Sequence, residues 1–99
     1  MRNRAKIKMK DFISRYHHCE PAQLPRQKKL PFVYLLGNVY GFSPREIADF
    51  FQCHPVTAYR MLSDAVFFHS RRRQQQEEEK RIADYILYIA QWRDWKSIS

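Results

Sequence analysis

The sequence predicts a small all-α protein. The chain has 99 residues and only two glycines, and the one dipeptide suited to a hairpin turn, Gly37-Asn38, is not flanked by alternating apolar residues. Apolar residues instead recur at helical spacing, and a capping motif followed by proline marks one helix start. A chain of this length has room for one domain with one modest core.

The N-terminal third predicts a flexible arm followed by a first helix. Residues 1–10 are basic, and we expect them to form a flexible arm that contacts phosphates or the minor groove, or serves only solubility. Phe12, Ile13 and Tyr16 lie at helical spacing and predict a helix from Lys10 to Tyr16.

A second helix is predicted to begin at Pro25 or Pro31, because the missing N–H of proline costs nothing in the first helical turn. Arg26 to Leu30 is then either its first turn or a basic loop. Gly41 is expected to end this helix as a C-terminal cap. The residues expected to be buried are Phe32, Leu35, Leu36 and Val39.

The central segment carries the strongest local signals. Ser43 and Glu46 form a capping box with Pro44 at the first helical position, and the helix is expected to end at Phe51. A three-residue turn leads to Pro55, which starts another helix. This arrangement predicts a helix-turn-helix, with a plain helical hairpin as the alternative. The expected buried residues are Ile47, Ala48 and Phe51, then Ala58, Met61 and Leu62, in a helix that continues through Val66 and Phe67.

Two positions bear on the helix-turn-helix interpretation. Ala48 supplies the small residue that lets the second helix approach the first. Gln52 occupies the turn position that often needs a left-handed backbone, where a residue other than glycine incurs a cost of about 1 kcal/mol.

Positive charge is concentrated near the N-terminus. The formal net charge is +8, with +7 in residues 1–33, −1 in residues 34–70 and +2 in residues 71–99. Such a distribution predicts a polyanionic partner, and double-stranded DNA fits the helical motif better than RNA does. Solubility alone is the alternative explanation.

The second helix of the motif would place its N-terminal half against base edges in the major groove. Arg60 suits a bidentate contact to guanine and Val56 a contact to a thymine methyl, although an ion pair from Arg60 to Asp64 and a core position for Tyr59 are alternatives. Phosphate contacts are predicted for Ser43, Arg45, Thr57, Arg71, Arg72 and Arg73. Base readout is predicted for His54, Val56, Tyr59, Arg60 and Ser63.

Between Phe12 and Ala65, three segments follow one another along the chain. They are FISRYHHCEPAQL, PRQKKLPFVYLL and GFSPREIADFF. Together they resemble the C-terminal DNA-binding domain of the replication initiator DnaA, a helix-turn-helix of the TrpR-like superfamily. The resemblance implies double-stranded DNA binding, with phosphate contacts from a basic loop that holds Arg26, Lys28 and Lys29.

The resemblance is incomplete at the recognition helix. That family carries Asp-His-Thr-Thr-Val where this chain has CHPVTAY, and in a gap-free reading only Thr57 matches. Recognition of the initiator's own DNA box is therefore not expected. The chain also lacks a Gly-x4-Gly-Lys phosphate loop, so no ATPase activity is expected. Sigma-factor region 4 and response-regulator domains share the SPREIA pattern and are competing relatives.

The C-terminal third, residues 71–99, combines two compositions. RRRQQQEEEK predicts a solvated helical connector in which Glu77 pairs with Arg73 and with Arg81. The helix after it either folds back on the core or forms a homodimer through residues 82–95, which would place two copies on half-sites about one DNA turn apart. Its apolar positions are Ile82, Tyr85 or Ile86, Ile89, Trp92 and Trp95.

Other function classes receive little support. No apolar run approaches the about 20 residues that span a membrane, and we expect a cytoplasmic, nucleoid-associated protein with free thiols at Cys19 and Cys53. No metal, cofactor, small-molecule substrate or enzyme activity is predicted. Residues 11–70 are expected to form the DNA-binding domain of a transcription or replication regulator. The alternative is a protein-interaction adaptor for a polymerase or replication factor.

Overall fold

A computed structural model describes the backbone of residues 2–98 and the side chains of residues 3–87. Within this part of the chain there are five α-helices and no strand, which confirms the predicted all-α fold. A 3₁₀ turn, Pro21–Gln23, precedes the second helix, and a π-helical turn, Leu35–Val39, follows it. The helices are α1 (Arg2–His17), α2 (Arg26–Tyr34), α3 (Pro44–Phe51), α4 (Pro55–His69) and α5 (Arg73–Ile98).

The basic N-terminal segment is helical from Arg2, which contradicts the prediction of a flexible arm for residues 2–10. Ala5, Met9 and Ile13 recur every four residues along α1, and each is at most 2% exposed. Because an apolar stripe of this kind packs against the rest of the fold, tertiary contacts stabilise a helix whose other faces are basic. The helix predicted from Lys10 therefore starts much earlier, at Arg2.

The basic segment that follows Pro25 forms the first turns of α2 and not a loop. Pro31 lies inside α2 and is buried. The π-helical turn that follows holds an extra residue, which moves the next side chains around the helix axis. Val39 is consequently 58% exposed, so its predicted burial is wrong. Gly41 follows the turn with a φ of +74°, as the predicted C-terminal cap requires.

The core surrounds α4, which packs against α2, α3 and α5, while α5 also packs against α1. Close approach of the π-helical turn to α4 depends on Gly37, because a Cβ atom there would overlap Cδ1 of Leu62. No helix in the described part of the chain is both long and apolar enough to cross a membrane. The largest fully buried side chains are Phe32, Phe51, Met9, Ile13, Leu36, Ile47, Met61, Ile82 and Val33.

The low-complexity segment is not a fully solvated connector. From Arg73 onward it forms the first turns of α5, where Gln75 and Glu79 are only 6% and 5% exposed. The predicted Arg73–Glu77 pair is present at 3.4 Å. Arg81, however, pairs with Glu78 at 3.2 Å and not with Glu77.

The apolar face of α5 is confirmed as far as the structure describes its side chains. Ile82 and Ile86 are buried, and the ring of Tyr85 lies 5.3 Å from that of Phe12. Tyr85 also donates a hydrogen bond to Asp11, and burial together with this bond raises the pKa of Tyr85 to about 12. The side chains predicted at Ile89, Trp92 and Trp95, and with them most of the proposed dimer surface over residues 82–95, lie outside the described side chains.

Candidate nucleic-acid interface

The helices α3 and α4 and the turn between them have the predicted bounds. The backbone N–H of Ser43 donates to Oε1 of Glu46 at 3.1 Å, and the N–H of Glu46 donates to Oγ of Ser43 at 3.3 Å, which completes the capping box. Gln52 adopts a left-handed backbone with a φ of 54°, as predicted. The next N–H, that of Cys53, donates to the carbonyl of Ala48 at 3.0 Å and closes the turn. Local hydrogen bonds thus set the start of α4 relative to α3.

The helix α4 has a buried inner face and an open outer face. Ala58, Met61 and Ala65 are at most 1% exposed and face the core. Val56 is 50% exposed and Tyr59 is 65% exposed, so Tyr59 is not a core aromatic residue. The side chains predicted to read bases, His54, Val56, Tyr59, Arg60 and Ser63, are all exposed.

The imidazole of His54 is the N-cap of α4. Its Nδ1 atom accepts a hydrogen bond from the N–H of Val56 at 3.1 Å. A neutral imidazole that accepts at Nδ1 carries its proton at Nε2, which is then a donor toward a neighbouring molecule. The neighbouring Cys53 is half-buried, and burial raises the pKa of its thiol. The thiol form of Cys53 therefore predominates at neutral pH.

An ion pair ties α2 to the outer region of α4. Nη2 of Arg26 lies 2.7 Å from Oδ2 of Asp64, and both side chains are about half exposed. Asp64 is therefore paired with Arg26 and not with Arg60, the alternative partner considered from sequence. Among the residues that the structure describes, Arg60 makes no ion pair, and its side chain is exposed.

The predicted phosphate contacts near the starts of α3 and α4 come from three side chains. Ser43 and Arg45 are exposed and Thr57 is half-buried. The Oγ atom of Ser43 accepts a bond from the backbone, which leaves its O–H free to donate. Ser43 and Arg45 lie at the start of α3, and Thr57 lies in the first turn of α4.

The other basic side chains point in several directions. Lys29 lies 5.8 Å above the ring of Phe51 beside α3, whereas Lys28 lines a cleft between α1, α2 and α5. Arg72 also lines this cleft and stacks on Phe68 with its guanidinium carbon 4.0 Å from the ring centre. Arg73 points outward, and its side chain is 92% exposed. The predicted phosphate contacts therefore do not form one continuous stripe.

Sequence reasoning missed the apolar continuation of the outer face of α4. Val66 and Phe67, predicted only as the continuation of the helix, are 46% and 51% exposed. The guanidinium of Arg71 covers Phe67 with its carbon 4.1 Å from the ring centre. Ala65, one residue earlier, takes the inner position instead.

The described side chains contain no group of three or more His, Cys, Asp or Glu residues placed to hold a metal ion. Cys19 and Cys53 are both free and half-buried. Comparison of the chain with protein-family models, curated proteins and solved structures finds no match. The function is therefore inferred from the arrangement of residues described above.

Proposed function

We propose that the chain binds double-stranded DNA, with the N-terminal half of α4 in the major groove and α3 lying across the backbone. The exposed outer face of α4, directly after a short and well-capped turn, is the observation that carries this proposal. Burial of Val56 and Arg60 would have ruled it out, and both are exposed. An α-helix fits the major groove, where each base pair presents a distinct pattern of hydrogen-bonding groups.

Each side chain on the outer face has a chemistry that suits a base edge. Arg60, without an ion-pair partner among the described residues, has its guanidinium N–H groups available for a bidentate contact to guanine. Val56 offers a methyl surface for thymine. His54 offers the N–H at Nε2, while Tyr59 and Ser63 each offer a hydroxyl group.

Phosphate contacts fix the position of the protein on the duplex. Ser43 and Arg45 lie at the start of α3 and Thr57 lies in the first turn of α4, and each offers a donor for a phosphate oxygen. The pair between Arg26 and Asp64 ties α2 to α4 while leaving further N–H groups of Arg26 for a phosphate. With a net charge of +8, binding is expected to weaken steeply as salt rises. The resemblance to the DnaA domain favours a regulator of transcription or replication.

Substitution of Arg60 tests whether the residues that contact bases and the residues that contact phosphates have separate effects on DNA binding. Arg60→Ala is expected to lower affinity for a selected duplex by about 1–3 kcal/mol and to leave affinity for random duplex nearly unchanged. Lys29→Ala combined with Arg45→Ala should weaken all duplexes alike, because both residues lie on the α3 side of the motif and outside the residues predicted to read bases. The target is first obtained by selecting bound sequences from a random duplex library, and fluorescence anisotropy then gives each affinity.

Arg15→Ala is the matched control, because it removes one positive charge from α1, where Arg15 pairs with Asp11 at 3.3 Å. Its effect should be small and independent of sequence. Equal losses on selected and random duplex for Arg60→Ala would contradict a reading role for α4.

Exposed apolar side chains favour one second candidate, a protein-interaction adaptor. Val56, Tyr59, Val66 and Phe67 are each 46–65% exposed along α4, and such a surface also suits a protein partner. A gel shift with random duplex at low salt separates the two functions. An adaptor with no role on DNA would give no shift, whereas the proposed DNA-binding protein shifts the duplex in a salt-dependent manner.

A further inference from the structure

A cleft of about 410 Å³ lies away from the outer face of α4. It is formed where the C-terminal end of α1 meets the first turns of α2 and α5, and no residue of α3 or α4 lines it. Its volume is within the range of about 300–1,000 Å³ typical of small-molecule sites. No small-molecule ligand is predicted from the sequence, because the cleft forms only when three separate segments of the chain fold together.

The lining of the cleft is positively charged. Lys28 comes from α2, Arg72 precedes α5 and Arg81 lies on α5, whereas Glu78 is the one carboxylate in the lining. Glu78 is 3.2 Å from Arg81 and offsets part of its charge, so two positive charges remain in excess. Neither α2 nor α5 has an acidic residue in its first turn, so the partial positive charge at both helix starts is also uncompensated.

The imidazole of His17 reports on this environment. Burial is the largest cause that lowers the pKa of His17, Glu78 raises it, and Lys28 and Arg81 lower it further. A further positive charge in the cleft is thus disfavoured. An anion bound beside His17 would stabilise the imidazolium and raise the same pKa.

One side of the cleft is apolar and aromatic. Tyr16 is 54% exposed, and its ring is 4.7 Å from that of Phe12 and 6.0 Å from that of Tyr85. These contacts hold the ring in position while more than half of the residue remains accessible. Leu30 and Pro31 are buried and add apolar surface next to Lys28.

We propose that this cleft binds a small aromatic phosphate of about the size of a nucleoside monophosphate. The phosphate lies among Lys28, Arg72 and Arg81, and the ring packs against Tyr16. Two excess positive charges match the charge of about −1.5 to −2 that a phosphate monoester carries at pH 7. A phosphate of the DNA backbone has related chemistry, so the experiment must separate the two sources.

The test uses the full chain with adenosine monophosphate as the probe. Isothermal titration calorimetry measures affinity, and the NMR titration of the His17 ring measures its pKa with and without the nucleotide. We expect saturable binding and an increase in the pKa of His17. Arg81→Ala and Tyr16→Leu should each weaken nucleotide binding about tenfold or more, while leaving binding to duplex DNA unchanged.

Lys80→Ala is the matched control, because it removes an exposed positive charge next to Arg81 on the same helix. It should leave nucleotide binding within about twofold. Thermal melting shows whether Tyr16→Leu remains folded, and Arg72→Gln provides a second variant whose exposed side chain is not part of the core.

Three results would overturn the proposal. Absence of nucleotide binding at millimolar concentration would exclude the site. Equal affinity for inorganic phosphate and for the nucleotide would exclude a role for the aromatic ring. A shift of His17 with duplex DNA but not with the nucleotide would assign the cleft to a backbone phosphate. None of these results depends on whether α4 reads bases.

Discussion

The two sides of α4 are held by contacts of different chemistry. The joint with α3 is apolar and is formed by side chains at most 2% exposed, among them Ala48, Phe51 and Met61. The joint with α5 is polar. The side-chain N–H₂ group of Gln75 donates to the carbonyl of Ala65 and to Glu79, both at 2.8 Å. The other oxygen of Glu79 lies 2.6 Å from Nδ1 of His69.

The apolar joint with α3 chiefly stabilises the fold, whereas the polar joint with α5 chiefly orients the helices. Apolar burial is non-directional and stabilises a fold in proportion to the area removed from water. The α3–α4 joint therefore contributes to the free energy of unfolding. Buried hydrogen bonds are directional. Removing one partner leaves a buried polar group unpaired, which lowers the free energy of unfolding of the protein. His69 also stacks on Tyr34 of α2 at 3.9 Å, with the rings only 8° from parallel. The polar joint therefore orients the first turns of α5 on α4, and residues of these turns also line the cleft.

The largest expected effect is in the apolar joint. Phe51 is 1% exposed, so Phe51→Ala should lower the free energy of unfolding by about 3–5 kcal/mol. Phe67→Ala removes the same ring from a residue that is 51% exposed, and its cost should be under about 1 kcal/mol. Urea denaturation followed by circular dichroism measures both. Similar losses in the two variants would mean that α3 and α4 are not held by buried apolar surface.

A smaller effect is expected in the polar joint. Glu79→Leu removes the acceptor for both Gln75 and His69, and we expect a loss of about 2 kcal/mol, because a bond to a charged group contributes more than a neutral one. Glu77→Leu, at a side chain that is 65% exposed, should change stability by about 0.5 kcal/mol or less.

Hydrogen exchange gives a second measure of the Glu79→Leu variant. Because the polar joint attaches α5 to α4, the first turns of α5 should exchange faster while α3 and the start of α4 keep their protection. Uniformly faster exchange across all helices would show that the two joints do not act separately.

Local signals in the sequence predicted the α3–α4 region closely. The capping box of Ser43 and Glu46, with Pro44 between them, predicted the start of α3 from residues at most three apart. Pro55 alone predicted the start of α4. The inner face of α4 was predicted at Ala58 and Met61, and the exposure of the candidate base-reading side chains followed from the same periodicity. These features depend on short-range geometry, which the sequence carries directly.

The features that the sequence did not predict depend on distant partners. Arg26 and Asp64 are 38 residues apart, and nothing near either residue indicates their pairing. Burial of Glu79 within a run of polar residues requires His69 on another helix. At the N-terminus, the four-residue spacing of Ala5, Met9 and Ile13 is typical of a helix with one buried face. The basic residues between them favoured the prediction of a flexible arm instead. The cleft likewise depends on how three helices meet.

The smallest expected effect concerns the turn of the apolar joint. Gln52 has a φ of 54°, a left-handed conformation that costs a residue with a side chain about 1–2 kcal/mol. Glycine has no such cost in the folded state, but its greater freedom when unfolded offsets about 0.5–1 kcal/mol of the gain. Gln52→Gly should therefore stabilise the protein by about 0.5–1 kcal/mol in urea denaturation. Gln52→Ala keeps the left-handed cost and should give no gain. If Gln52→Gly instead destabilised the protein, contacts of the Gln52 side chain, and not burial between α3 and α4, would hold the turn in place.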